Sequence, residues 1–194
     1  MGDIFIVESH IVNRNTIFLV GEYALLGRPC TRIFEGNLSF LVNQKPLKVI
    51  DESIQYIGYN LKGAIESSKA QDGKTSMVSV MINPAQNVCL FPIISPYKHE
   101  CIWFNPLHIT ETKANGTKTD VYLSNGCVIT VNMRVSTFNN KWHDAKQLCS
   151  FFSERAQNEM TSIYMKPKEK LLKIKEENGK FTIYELKKDM EEEE

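Results

Sequence analysis

Residues 99–101 read His-Glu-Cys, three side chains of the kinds that ligate metals or move protons. Neighbours in an extended segment point to opposite faces, so this triplet cannot turn all three onto one ion. It reads as a loop entering a strand. Cys149 and His143 lie six apart, off the three- and four-residue steps that bring helical side chains together. Cys149 also falls on an apolar stripe, so it is expected to be inert core rather than an activated nucleophile. No phosphate-binding P-loop, GxSxG elbow, HExxH pair or dinucleotide fingerprint occurs. The residues argue for no catalytic group, no metal site and no cofactor. What remains is cationic. Arg28, Arg32, Lys45, Lys48, Lys62, Lys69 and Lys74 punctuate residues 28–74, against Glu35, Asp51, Glu52, Glu66 and Asp72. Each alone is an ordinary solvated charge; together they form a slight surplus of the sign that faces a polyanion.

The elements that must position these groups belong to a chain of 194 residues, 42% hydrophobic, with 23 basic and 23 acidic side chains. That length suggests one domain with an appendage, and the apolar fraction is enough for a core. No apolar run approaches the ~18 residues of a membrane span. The start, MGDIFIVESH, has no basic leader before a long apolar stretch, and Ile6 stands where a myristoylation motif wants Ser or Thr. Five scattered cysteines, none in a CxxC pair, suggest reduced thiols in a cytoplasmic protein.

Short strands are expected over 4–7, 16–20 and 38–42, then 78–82 and 88–91, each of the last two ended by a proline. Segments 107–113, 118–124 and 127–133 are joined by Asn115-Gly116 and Asn125-Gly126, the strongest short hairpin signal, and predict a three-stranded antiparallel meander. A short helix is expected over 52–57, started by Asp51-Glu52-Ser53 and stopped by Gly58. Residues 59–76 are small and polar and read as a long loop. One long helix follows, capped by Ser136 or Thr137. Its stripe runs Phe138, Trp142, Ala145, Cys149, Phe152, Ala156 and Met160, with Leu148 and Phe151 flanking. The sum is an α+β domain over 1–165, a mostly antiparallel β-sheet with one long amphipathic helix packed on it. A variable charged C-terminal tail over 166–194 offers a further hairpin around Asn178-Gly179.

The order of pieces resembles the competence transcription factor ComK family. The matching residues are Val42-Asn43-Gln44-Lys45-Pro46-Leu47, Val49-Ile50-Asp51, Ser53, Gly58, Gly63, Asn83-Pro84, Leu90-Phe91-Pro92 and Ser95. Cys101-Ile102-Trp103, His108-Ile109, Ser124-Asn125-Gly126, Ser136 and Phe138 complete the series. The combination of NxKPL, LFP and CxW in this order is the specific part. The resemblance implies a bacterial, cytoplasmic transcription activator of DNA-uptake genes. It would bind double-stranded DNA at paired AT-rich promoter boxes, read largely from the minor groove by a homo-oligomer, with RNA polymerase as a further contact. Lys45, Lys48, Lys62 and Lys74 are then the candidate DNA-binding residues. Ile163-Tyr164-Met165-Lys166-Pro167 resembles the apolar segment by which family members are captured by a proteolytic adaptor. The chain departs from the family at Ala64-Ile65, where Arg or Lys usually follows the glycine matching Gly63, and at Met77-Val78-Ser79, where the family carries Lys-Pro-Pro. These departures imply weakened DNA contact, which Arg at 64 and Lys at 65 would restore. A ComK-like protein-interaction module that has lost DNA binding is the alternative.

The long helix carries Lys141 and Lys146 against Asp144 and Glu154 on its polar face, too mixed for a groove-reading helix. Lys141→Ala and Lys146→Ala are therefore expected to leave stability and DNA binding nearly unchanged. Trp142→Ala is expected to cost about 3–5 kcal/mol and to lose binding only through unfolding. Parallel urea unfolding and duplex titration separate these outcomes.

Overall fold

Apolar residues in the strands serve both faces of one sheet. The computed structural model describes residues 5–73, 77–157, 171–177 and 180–186. Seven strands, β1 (Ile6–Val7), β2 (Thr16–Tyr23), β3 (Pro29–Glu35), β4 (Leu38–Val42), β5 (Val80–Asn83), β6 (Val88–Pro92) and β7 (Ile102–Phe104), join in the order β1-β4-β3-β2-β7-β6-β5. Only the two-residue β1 pairs in parallel, with β4; the other pairings are antiparallel. Along β6, Val88 and Leu90 enter one core while Cys89 and Phe91 enter the other, as the two-residue period of a strand requires.

One face is covered by two helices, α1 (Pro46–Tyr56) and α2 (Leu61–Asp72). Val49, Ile50 and Ile54 of α1 pack there with Leu19, Ile33 and Trp103. The other face carries α3 (Val135–Gln157) and a separate three-stranded sheet of β8 (Ile109–Asn115), β9 (Lys118–Leu123) and β10 (Val128–Val131). Phe138 of α3 meets Phe91 and Phe104 edge-on, at centroid distances of 5.8 and 5.7 Å. The meander follows from its turns: Gly116 and Gly126 hold φ of 61° and 83°, which glycine adopts without the Cβ clash. The chain divides into two units, 1–157 and 158–194. The second holds an antiparallel hairpin, β11 (Leu171–Glu177) with β12 (Lys180–Leu186), flanking Asn178-Gly179 as the sequence suggested.

Several boundaries differ from the sequence expectation. The first helix begins at Pro46, not 52. Pro46 occupies its first turn, where the missing N–H costs nothing, and Asp51-Glu52-Ser53 lie inside it. Gly58 does stop the chain, in a left-handed conformation. The expected loop 59–76 is largely helix α2. Asn60 Oδ1 accepts the Gly63 N–H at 2.7 Å, and Gly73 ends the helix with φ 66°. Leu61, Ala64, Ile65 and Ser68 give it an inward face at helical spacing, disguised by small side chains. Strand β3 was not indicated at all, because Thr31 and Arg32 interrupt its apolar pattern. α3 starts at Val135, so Ser136 and Thr137 fall in its first turn. Leu148 belongs to its buried centre, Trp142 and Phe152 are partly buried, Ala156 is exposed, and Met160 lies outside the described residues.

Close packing at one glycine ties strand to loop. A Cβ on Gly21 of β2 would overlap the His99 carbonyl oxygen, and backbone cannot yield as a flexible side chain does. Gly21→Ala is expected to lower the unfolding free energy by about 1–3 kcal/mol. Phe138→Ala should cost about 3–5 kcal/mol, and Trp142→Ala less than that, being only partly buried. Urea unfolding of the three variants at unchanged m-value checks the order.

Candidate nucleic-acid interface

Lys45 sits where a strand hands over to a helix. Pro46 holds the residue before it extended, and Lys45 has φ −72° and ψ 152° at the N-cap of α1, with no side-chain cap bond. Its carbonyl accepts the N–H groups of Lys48 and Val49, at 2.9 and 3.2 Å. The corner around it is pinned. Thr31 Oγ1 donates to the Gln44 carbonyl at 2.7 Å, Asn43 Nδ2 donates to Glu8 Oε2 at 3.1 Å, and Gln44 Nε2 donates to Glu52 Oε2 at 2.9 Å. The Lys45 side chain is exposed and has no carboxylate partner among the described residues.

The other candidate lysines stand differently. Lys48 Nζ pairs with Glu52 Oε1 at 3.0 Å, one helical turn on. The Gln44 amide first, and then Lys48, hold the Glu52 carboxyl below the usual carboxylate range. Lys62, on α2, reaches Glu66 at 4.0 Å, with both side chains largely exposed. It lines a shallow depression with Asp51, Gln55, Lys69 and Tyr97. The cations of α1 and α2 thus alternate with carboxylates. Lys74 and the segment Ile163, Tyr164, Met165, Lys166 and Pro167 lie outside the described residues.

Ala64 and Ile65 do not stand on an open loop. Both pack against the core beneath α2, so Lys at 65 would bring a charge to a partly buried position instead of simply adding a groove contact. The His99-Glu100-Cys101 side chains diverge. His99 Nε2 donates to the Glu22 carbonyl at 2.7 Å, Glu100 is exposed, and Cys101 is fully buried, its thiol pushed up by that burial. Cys149 Sγ lies 2.9 Å from Asn87 Oδ1, while His143 points to solvent.

Strand register brings together what sequence distance hides. Thr31 at the start of β3 pairs with Val42 at the end of β4, Tyr23 pairs with Pro29, and Val20 pairs with Ile102. The β2–β3 turn, the Lys45 corner and the β6–β7 loop therefore leave the sheet at one end. They carry Arg28, Lys45 and Lys98, all exposed and without a carboxylate partner among the described residues, together with the exposed Glu100 of the β6–β7 loop. Glu22 at this end is occupied by Arg32 at 2.6 Å. Lys98 is not among the cations that the sequence singles out. Its signal is the Pro96-Tyr97-Lys98 step between two apolar runs, a turn that presents its side chains outward.

The chain is 29% identical over 181 residues, covering 93% of this chain and 91% of the other, to the competence transcription factor of Bacillus subtilis (strain 168). No solved structure matches. The sequence model of the ComK protein family matches residues 7–157, and the chain belongs to that family.

Proposed function

We propose that this protein is a sequence-specific DNA-binding activator of DNA-uptake genes. It acts in the cytoplasm as a homo-oligomer on AT-rich promoter boxes read largely from the minor groove, and it meets RNA polymerase there. The observation that carries the reading is the Asn43–Leu47 corner. It resembles the family's NxKPL piece, Thr31, Glu8 and Glu52 hydrogen-bond to it, and Lys45 leaves the sheet at the same end as Arg28 and Lys98. Narrow A-tract minor grooves concentrate negative potential and draw Lys and Arg from loops and turns. Such a mode asks for no basic recognition helix, and α3, with its apolar side on the core, need not enter a groove.

Lys48, Lys62 and Lys74 are the further DNA contacts of this reading. The ion pairs to Glu52 and Glu66 compete with phosphate, but exposed pairs of this kind are worth only about 0–1 kcal/mol. Residues Ile163–Pro167 are proposed to engage a proteolytic adaptor. The alternation of cations with carboxylates on α1 and α2 favours a second reading, an interaction module of the same fold that no longer binds DNA.

Titration on a paired AT-box duplex at several salt concentrations tests the two. DNA binding predicts a shallow slope of log affinity against log salt, about −3 per subunit if Lys45, Lys48 and Lys62 all engage. Lys45→Ala should reduce its magnitude by about 0.9, and Lys48→Ala by less, since Glu52 already holds part of that charge. A folded protein with no preference for AT boxes overturns the activator reading and leaves the module.

A further inference from the structure

The turn joining β2 to β3 displays a leucine that the fold does not use. Leu26 is 97% exposed and holds φ 67° and ψ 20°, a left-handed conformation that side chains other than Gly, Asn and Asp rarely adopt. The neighbouring Gly27 is left-handed too. The turn is closed by two backbone bonds, Gly27 N–H to the Ala24 carbonyl at 3.1 Å and Ala24 N–H to the Arg28 carbonyl at 2.8 Å. Leu26 is thus pointed outward on a braced support, at a cost in both backbone strain and solvation. The nearest charge along the turn is Arg28, also exposed; the two acids that line the same depression, Glu8 and Glu22, accept from Asn43 and Arg32. Lys45 and Lys98 leave the sheet at the same end.

We infer that Leu26 is a wedge that enters the minor groove of AT-rich DNA and parts a base step, with the Arg28 guanidinium lying in the groove beside it. The inference rests on the DNA-binding reading above and adds the contacting element and its mode. The chemistry is complementary on each count. Pyrimidine–purine steps such as TA unstack most easily. Apolar side chains of this size are the wedges that minor-groove proteins insert, and the kink they make wraps more protein surface around the duplex. A narrow A·T groove accepts one cation beside the wedge. A turn fixed by backbone bonds loses little freedom on entering.

Glycine at position 26 separates this role from a structural one. The full-length protein and its Leu26→Gly and Arg28→Ala variants are titrated onto an AT-box duplex carrying, at its TA step, a fluorescent adenine analogue that brightens on unstacking. Oligomer size is followed by sedimentation. Glycine holds a positive φ freely, so Leu26→Gly should keep or raise the melting temperature. It should weaken binding about tenfold to hundredfold, the worth of burying one leucine side chain, and abolish the fluorescence rise. Arg28→Ala should shrink the salt slope by about 0.9. If the natural chain binds and Leu26→Gly matches it in affinity and fluorescence, the wedge is refuted while DNA binding stands. If Leu26→Gly loses affinity only as the oligomer dissociates, Leu26 is a contact between copies and the wedge is refuted. If the natural chain shows no affinity for AT-rich duplex, the wedge and the DNA-binding reading fall together.

Discussion

The structure depends on one sheet being buried from both sides. Trp103 and Phe104 are neighbours in β7, yet they belong to different cores, the first under α1 and α2, the second under α3 and the meander. The same division runs through β2, where Phe18 and Leu19 part ways, and through β6, whose five residues are all buried. An antiparallel sheet often leaves one face to water. Here neither face of the central strands is free, so a slip of one residue would exchange two complete sets of side chains. The helices and the small sheet are consequences of that demand: each covers apolar surface that the strands cannot hide alone.

With both faces occupied, the ends of the strands are where chemistry can be displayed. The loops there are tied to the sheet by hydrogen bonds as well as by buried residues such as Ile93 and Cys101. His99 reaches the Glu22 carbonyl from the β6–β7 loop, Thr31 takes the Gln44 carbonyl before α1, and Arg32 holds Glu22. At the opposite end His108 bridges Ser124 and the Arg14 carbonyl, at 2.7 and 2.8 Å, and joins the meander to the loop before β2. These bonds set the cations of the sheet end on stiff supports, and stiffness is what spares a charged side chain part of the entropic cost of being held against a polyanion.

The parts legible in the sequence were those whose signal is local. Asn115-Gly116 and Asn125-Gly126 announce the meander because the turn geometry itself demands those residues. The stripe from Phe138 to Phe152 announces α3 because many turns repeat it. α2 escaped because Gly63, Ala64 and Ser68 carry little apolar weight, although Asn60 and Gly73 mark both of its ends. The first helix is expected too late because acidic residues inside it resemble a start, while the start signal is Pro46. For the candidate site, Lys45 is visible through the NxKPL piece of the resemblance. Its proximity to Arg28 and Lys98 is not, because that depends on pairing Thr31 with Val42 and Val20 with Ile102. No window along the chain contains such information.

The cysteines divide unevenly across this architecture. Cys30, Cys89, Cys101 and Cys149 are buried, and Cys127, in the turn between β9 and β10, is exposed. A thiol reagent reaches only what solvent reaches. The folded chain therefore presents a single fast site, on the opposite side of the sheet from α1, and keeps four in reserve. The appearance of those four counts opening events of the cores, so the molecule carries its own clock for unfolding and, at Cys127, an attachment point for a probe that leaves the charged sheet end untouched.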